Sequence, residues 1–381
     1  METIYKELAT HLDNLPGGFP ATESGVELRI LNKLFTPEEA EIALHLTLLG
    51  ESAEVVAYRC GIDSELAAER LYQMSKRGLA LRQEKKTGAR KYMAAQFVIG
   101  IWEYQVNRLD DELVALFNEY LPDLMMPENW KAAPQLRTIP VGVSITPEHL
   151  AMDYDSAEII LATKKKILVA PCICRREREM TGHGCGKLMD ACLIFDGAAD
   201  FYEGNDIGRV IDLEEARDIL NTAAEQGLVV QPTNGQNPVS ICLCCSCCCQ
   251  VLIQAKRFPS PAEYTASTFI AALQPESCVG CQLCVAICPM EALTRSGEKV
   301  ALDAKRCIGC GLCVGKCRFD ALSLEEKAQA PVVSKTYTET LMRLGKARGK
   351  LSNTGMAKMM VKSKLDRKRA KNASSGGKQE N

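Results

Sequence analysis

The sequence predicts a multidomain α+β protein, and three observations carry that reading. The chain runs to 381 residues, enough for two or three domains. Its first third carries the caps and periodicity of short helices followed by a hairpin. Its 19 cysteines are crowded together, eighteen of them between Cys172 and Cys317 and only Cys60 outside that span. Apolar residues make up 46% and charged residues 25%, so each domain can bury an ordinary core. Five segments follow from these shifts in composition: a helical domain over 1–120, an extended linker over 121–149, a cysteine-rich α/β domain over 150–260, a second cysteine module over 270–326 and a basic tail over 327–381.

Residues 36–95 have the order of a winged helix. Thr36-Pro37-Glu38-Glu39 offers a capping Thr, a Pro at the first helical position and a Glu three residues on. Ala40, Ala43, Leu44 and Thr47 then share one side of a helix. A second helix is predicted from Glu51 to about Tyr58, with Gly61 turning the chain. Asp63 caps a third, which Gly78 stops. Leu79–Arg82 and Lys91–Met93 then pair around a KKTG turn. Residues 96–120 read as one more helix, and prolines at 122, 127, 134, 140 and 147 mark the linker.

In the next segment Lys166–Ala170 reads as a buried strand ending at a cysteine pair. Asp212 and Glu215 form a capping box for a helix whose inward residues are Leu213, Ala216, Ile219, Leu220 and Ala223, stopped by Gly227. The predicted order is strand, cysteine loop, helices, second cysteine loop.

The most specific motif lies further on. Cys278, Cys281, Cys284 and Cys288 follow the C-x2-C-x2-C-x3-C-P spacing, and Cys307, Cys310, Cys313 and Cys317 repeat it 29 residues later without the final proline. The flanks repeat as well, VGCQLCVAICPMEAL against IGCGLCVGKCRFDAL. Iron in a cubane cluster takes four soft thiolates, and two-residue gaps let three sulfurs of one tight loop reach three irons. Gly280, Gly309 and Gly311 leave room for backbone amides near the cluster. The fourth cysteine of each run serves the other cluster. Cys278, Cys281, Cys284 and Cys317 are therefore assigned to cluster one, and Cys307, Cys310, Cys313 and Cys288 to cluster two. Over about 50 residues this stretch resembles the two-cluster bacterial ferredoxins. That resemblance implies a two-cluster ferredoxin fold, two 4Fe–4S clusters and electron transport with a redox protein partner or enzyme subunit. Arg318 stands where many such repeats have proline.

Ten cysteines remain: Cys172, Cys174, Cys185, Cys192, Cys242, Cys244, Cys245, Cys247, Cys248 and Cys249. Their spacing is neither that of ferredoxins nor the paired C-x2-C of zinc ribbons. They can hold two further cubanes with two thiols spare, one unusual cluster, or zinc, or serve as reactive or structural thiols. An additional iron–sulfur site is the leading expectation. His183 is a candidate ligand or a solvated loop residue. Arg175, Arg176 and Arg178 either offset cluster charge or form a charged helix face. Cys60 and Cys192 are candidates for plain core filling. Taken whole, the chain resembles a group of anaerobe proteins with a winged-helix start, a cysteine-rich middle and a ferredoxin end.

Six of the eight residues from Cys242 to Cys249 are cysteine, too dense for all to pair as disulfides, so a reducing, cytoplasmic setting is expected. The opening METIYKELATHLDNL shows no basic region followed by an apolar run, and no stretch reaches the roughly 18 uncharged apolar residues of a membrane span. Net charge is −2, yet residues 327–381 carry 14 Lys or Arg against three acids. The tail is expected to be a solvated extension, disordered over its last ten residues. Alternatively, 336–371 becomes a helix on binding a partner, using Leu341, Leu344, Met359 and Met360. The winged helix has nine basic and nine acidic residues, with Asp63, Glu65 and Glu69 outward on its third helix, which favours protein docking over nucleic acid. Lys85, Lys86, Arg90 and Lys91 on the wing point the other way.

No general acid–base pair, phosphate loop or nucleotide fingerprint is evident, and no catalytic residue is assigned. Electron transfer is the leading expectation. The alternatives are a redox-sensing winged-helix transcription regulator and an oxidoreductase whose active-site cluster lies in the middle domain.

Overall fold

The structure is a computed structural model that describes residues 2–125, 131, 133–142 and 152–376. It is a mixed α/β protein whose contacts divide it into two compact units. One comprises Met1–Met126, Gly204–Ile207 and Met342–Asn381, the other Pro127–Glu203 and Gly208–Leu341.

The first unit opens with α1 (Glu2–Asp13), α2 (Val26–Leu34), α3 (Pro37–Leu44), α4 (Ala53–Cys60) and α5 (Ser64–Lys76), then the hairpin β1 (Ala80–Glu84) and β2 (Arg90–Ala94). The capping box at α3 is complete: Glu39 N donates to Thr36 Oγ1 at 3.2 Å, and Thr36 N to Glu39 Oε2 at 3.0 Å. Asp63 caps α5 through the amides of Glu65 and Leu66. Glu51 does not start α4. Its backbone bridges to Tyr92 instead, and its carboxylate accepts from Arg59 at 2.6 Å.

Residues 96–120 do not form one helix. Val98 and Ile99 are extended, a short turn covers Glu103–Gln105, and α6 (Asp111–Leu124) begins only where Asp110 accepts from Leu113 N at 2.8 Å. Pro122 falls inside the last turns of α6. Of the other linker prolines, Pro127 and Pro147 lie outside the described residues.

The second unit contains α7 (Ala157–Ala162), β3 (Ile167–Pro171), α8 (Ile173–Met180), β4 (Asp190–Phe195), α9 (Asp196–Glu203), β5 (Arg209–Ile211), α10 (Leu213–Glu225), β6 (Val229–Pro232), β7 (Ser240–Cys244) and α11 (Gln250–Arg257). Its five strands lie in the order β5-β3-β4-β7-β6, every neighbouring pair antiparallel. Asp212 caps α10 by accepting from Glu215 N, but the predicted reciprocal half of that box is missing. The Glu215 carboxylate pairs with Arg209 instead. Ala216 and Ala223 are fully buried, with Leu213, Ile219 and Leu220 packed on the same core.

The chain continues through β8 (Phe269–Leu273), α12 (Leu283–Ile287), β9 (Leu293–Ser296), β10 (Lys299–Leu302), α13 (Leu312–Lys316) and β11 (Leu322–Glu326). The sequence repeat becomes a structural one, strand, cysteine loop, short helix, strand, twice. Its outer strands β8 and β11 pair, as do its inner strands β9 and β10. Residues 136–139 bridge to β6 and to Ala266, and Val141 N donates to the Cys310 carbonyl at 3.1 Å. Within this stretch Arg137 and Asp155, each 2% exposed, form an ion pair at 2.7 Å. Met290, Ile308, Cys310 and Leu312 join the apolar core that holds Val169, Leu193, Ile241 and Leu243.

Over its described part the tail is largely helical rather than disordered, and most of its residues are exposed. It forms α14 (Tyr337–Ala347) and α15 (Asn353–Gly376). The face α15 buries is mostly polar, Ser363, Asp366 and Ala370, and Asp366 accepts from Arg59 of α4 at 2.8 Å. Hydrophobic periodicity could not announce such a face. Leu344 is buried, whereas Met360 is exposed. Of the last ten residues, 372–376 continue the helix and 377–381 lie outside the described residues.

Candidate metal centres

Each of the two cysteine runs wraps a short helix that begins after a residue in the left-handed region, Gln282 at φ 62° and Gly311 at φ 73°. Gly280 and Gly309 sit at equivalent places with φ of 69° and 68°. A Cβ on Gly280 would lie 1.9 Å from the Glu298 carbonyl oxygen, and one on Gly309 would lie 2.1 Å from that of Phe269. Neighbouring backbone, the β9–β10 turn at Glu298 and strand β8 at Phe269, therefore comes too close for any side chain.

Two hollows of nearly equal size flank the helices. Cys278, Cys281, Cys284 and Cys317 line the first, and Cys288, Cys307, Cys310 and Cys313 the second. Each hollow thus draws three cysteines from one run and the last from the other. Backbone amides reach two of the sulfurs, Ala271 N to Cys307 Sγ at 3.4 Å and Ala292 N to Cys288 Sγ at 3.2 Å. Burial pushes the Cys310 thiol up to about 12 and raises Cys284 and Cys313, as isolated thiols in an apolar wall should be. Four soft donors lining one hollow fit an iron–sulfur cube, whose irons hold such sulfurs as thiolates.

The hollows differ in exposure. Val279, Leu283 and Phe319, which line the first, are 57%, 47% and 46% exposed. The second is walled by Met290 and Ile308, which belong to the shared apolar core. Arg318 is exposed.

The ten other cysteines separate into two groups. In one, the sulfurs of Cys185, Cys245, Cys247 and Cys248 all lie within 4.8 Å of one another. Cys185 comes from the loop after α8, and the other three from the turn between β7 and α11. Burial alone would raise the Cys185 thiol, but the amide of Lys187 and the neighbouring thiols of Cys248, Cys247 and Cys245 bring it down to about 7. Cys247 goes up to about 11, through burial first and Cys245 second, and Cys248 is raised as well. His183 is exposed and stands outside this group.

The remaining six follow one another by contact: Cys172 to Cys174, Cys174 to Cys249, Cys249 to Cys244, Cys244 to Cys242, and Cys242 to Cys192. Two of them start helices, Cys172 at α8 and Cys249 at α11. Cys242 and Cys244 alternate along β7, and Cys192 of β4 is the direct cross-strand partner of Cys242. Hydrogen bonds from Cys174 lower Cys172 and Cys249, and one from Cys192 lowers Cys242. Cys174 and Cys244, the donors between them, are raised.

Arg175 lies between the two groups. Its guanidinium donates to the Leu188 and Leu243 carbonyls at 2.7 and 2.8 Å and stands beside Cys172, Cys244 and Cys245. It is not part of an exposed charged face, being 2% exposed, whereas Arg176 and Arg178 are only half-buried. Cys60 ends α4 far along the chain from these sets, and burial raises its thiol to about 11. Sequence spacing did not reveal the split of ten thiols into four and six. The one available signal was the two-residue period of β7, which puts Cys242 and Cys244 on the same face and leaves Cys245 to the turn.

The paired hollows and the thiol groups define an iron–sulfur protein of the electron-transfer kind. Residues 277–321 match the family model of the 4Fe-4S dicluster domain, and this ferredoxin-type module is the part of the chain so identified. No curated protein and no solved structure matches the chain. No helix among the described residues is long and apolar enough to cross a membrane.

Proposed function

We propose that this chain is an iron–sulfur relay that carries electrons between a redox partner and a thiol-rich centre in its own middle domain, through two 4Fe–4S clusters. The observation that carries the reading is the crosswise lining of the paired hollows. Cys278, Cys281, Cys284 and Cys317 hold cluster one, and Cys307, Cys310, Cys313 and Cys288 hold cluster two. Bound clusters of this type supply one-electron redox centres. The residues around them set the route. Exposed Val279, Leu283 and Phe319 give the first hollow an apolar rim on which a partner can dock. The second hollow shares its apolar wall with Cys244, Cys245, Cys248 and Cys249, which supports an inward branch toward the middle thiols. There, Cys185, Cys245, Cys247 and Cys248 hold a further metal centre with four thiolate ligands, the number a cubane takes.

Residues 36–95 serve in this reading as a winged helix for docking a protein. Asp63, Glu65 and Glu69 are exposed at the start of α5, which suits a protein surface better than phosphate. Six cysteines within the eight residues from Cys242 to Cys249 are too dense for all to pair as disulfides, which supports a reducing cytoplasmic setting and fits the anaerobe group that the chain resembles.

The test is electron transfer by the oxygen-free full chain to a viologen dye after reduction with dithionite and removal of the excess dithionite. Replacing Cys281 by Ser opens the first hollow, and replacing Cys310 by Ser opens the second. The relay reading expects each change to slow dye reduction at least tenfold while secondary structure is retained. Unchanged rates in both variants contradict it.

A further inference from the structure

We infer that the chain of six thiols, Cys172, Cys174, Cys249, Cys244, Cys242 and Cys192, is a metal centre of its own, a polynuclear iron–sulfur cluster distinct from the four-thiol centre beside it. This rests on the reading of the chain as an iron–sulfur protein and adds a second site to its middle domain.

The first argument is stoichiometric. A zinc ion is satisfied by four tetrahedral ligands. Here six sulfurs follow one another by contact, and Cys192 lies directly across the strand pair from Cys242. A ligand set larger than one tetrahedral ion accepts suits several metal atoms; iron builds such assemblies with bridging sulfide, whereas two zinc ions would share six thiolates without it, so the sulfide and zinc counts separate the two.

The second argument concerns charge. Several thiolates brought together in an interior need compensation, or they stay protonated. Three devices converge on these six. The buried Arg175 guanidinium stands beside Cys172 and Cys244, and it is shared with the four-thiol group through a hydrogen bond to Cys245. The amide of Arg175 donates to Cys172 at the start of α8, and those of Val251 and Leu252 donate to Cys249 at the start of α11. Both helices are oriented with their positive ends toward the sulfurs. A set of thiols that merely filled the core would have no use for a buried cation and two helix ends.

The third argument is separation. The sulfurs belong to the β3–α8 junction, to the paired strands β4 and β7, and to the first residue before α11. The four-thiol centre uses a loop and a turn instead. Neighbours in the sequence go to different sites: Cys244 and Cys245 part company, as do Cys248 and Cys249. This division explains why six cysteines are packed into eight positions. The strand and the helix start deliver sulfur to the six-thiol group, and the turn between them delivers it to the four-thiol group.

The experiment uses the full chain, isolated without oxygen and reconstituted with ferrous iron and sulfide. Iron, sulfide and zinc are counted per chain, and iron-57 Mössbauer spectra are recorded. With two ferredoxin clusters and one four-thiol cubane, the chain holds about twelve irons, and the six-thiol centre raises this to about sixteen. A double variant, Cys174→Ser with Cys244→Ser, is expected to lose about a quarter of the iron. Cys247→Ser with Cys248→Ser is expected to lose a different, additive share. A parent protein with no iron beyond about twelve overturns the inference without any variant. So does zinc in place of the extra iron, or a double variant that keeps the parent's iron content. If the eight ferredoxin irons are themselves missing, it is the relay reading that has failed.

Discussion

Cys185 and Cys245 lie 60 residues apart in sequence, yet their sulfur atoms are 3.9 Å apart. The loop after α8 and the turn after β7 meet there, and Cys247 and Cys248 complete a group of four. Serine at position 185 removes a sulfur without changing the size of the side chain much. The metal content of the full chain is expected to fall by the complement of one centre, about four irons for a cubane. Elemental analysis of the parent and of Cys185→Ser checks this, and an unchanged content places the metal elsewhere.

Gly309 packs against the backbone of Phe269 with no room for a methyl group. Alanine there carries a left-handed penalty of about 1–2 kcal/mol besides the clash with a carbonyl oxygen. Cys310, the next residue, lines the second hollow. Gly309→Ala should therefore weaken the second cluster before the first, seen as selective loss of one paramagnetic signal on reduction. Gly297, where φ is also positive, meets nothing within 4 Å, and its alanine variant should keep both signals.

The buried pair Arg137–Asp155 also takes a hydrogen bond from Thr268, so three segments of the second unit depend on it. Removing one member leaves a buried charge unanswered, at a cost of about 3–5 kcal/mol. Asp155→Ala is expected to lower the urea midpoint of that unit accordingly. Replacing both residues by apolar ones should be much less damaging, and equilibrium unfolding of the two variants distinguishes the cases.

In the first unit, burial alone would raise the Glu51 carboxyl, but hydrogen bonds and charge from Arg59 outweigh it and hold the group below its ordinary value of 4.5. Asp13 is likewise depressed, with burial opposed by Lys350, the Phe19 amide and Arg348. A carboxyl depressed in the folded state adds stability above its unfolded value and loses that contribution as pH falls through the folded one. The first unit should therefore hold its stability down to about pH 4.5 and weaken below it. Denaturant midpoints between about pH 7 and about pH 3 give the profile, and Arg59→Met should flatten it.

Much of the ferredoxin-type module was legible in the sequence because its chemistry is local: four cysteines on one tight loop, repeated with matching flanks. The caps of α3 and α5 were equally local, since Thr36 and Asp63 bond amides two or three residues away. What the sequence hid depends on partners far along the chain. Asp366 looked like one acid in a basic tail, and its bond to Arg59 crosses 307 positions. Arg175 looked like one of three similar arginines until the fold buried it alone. The apparent helix over 96–120 failed because Asp110 competes as a cap, and the apparent capping box at Asp212 failed because Arg209 takes the Glu215 carboxylate. Ten crowded cysteines have no spacing rule of their own, and only strand pairing and helix starts divide them.

The account rests on thiolate-bound iron in the module at 277–321, and one measurement addresses it most directly. Full-length protein isolated without oxygen is analysed for iron and acid-labile sulfide, with electron paramagnetic resonance after reduction. The account predicts a brown protein with at least about eight irons and eight sulfides per chain. Both cluster signals should disappear from a variant lacking Cys278, Cys281, Cys307 and Cys310. A colourless protein, or one that carries zinc and no sulfide, would contradict it.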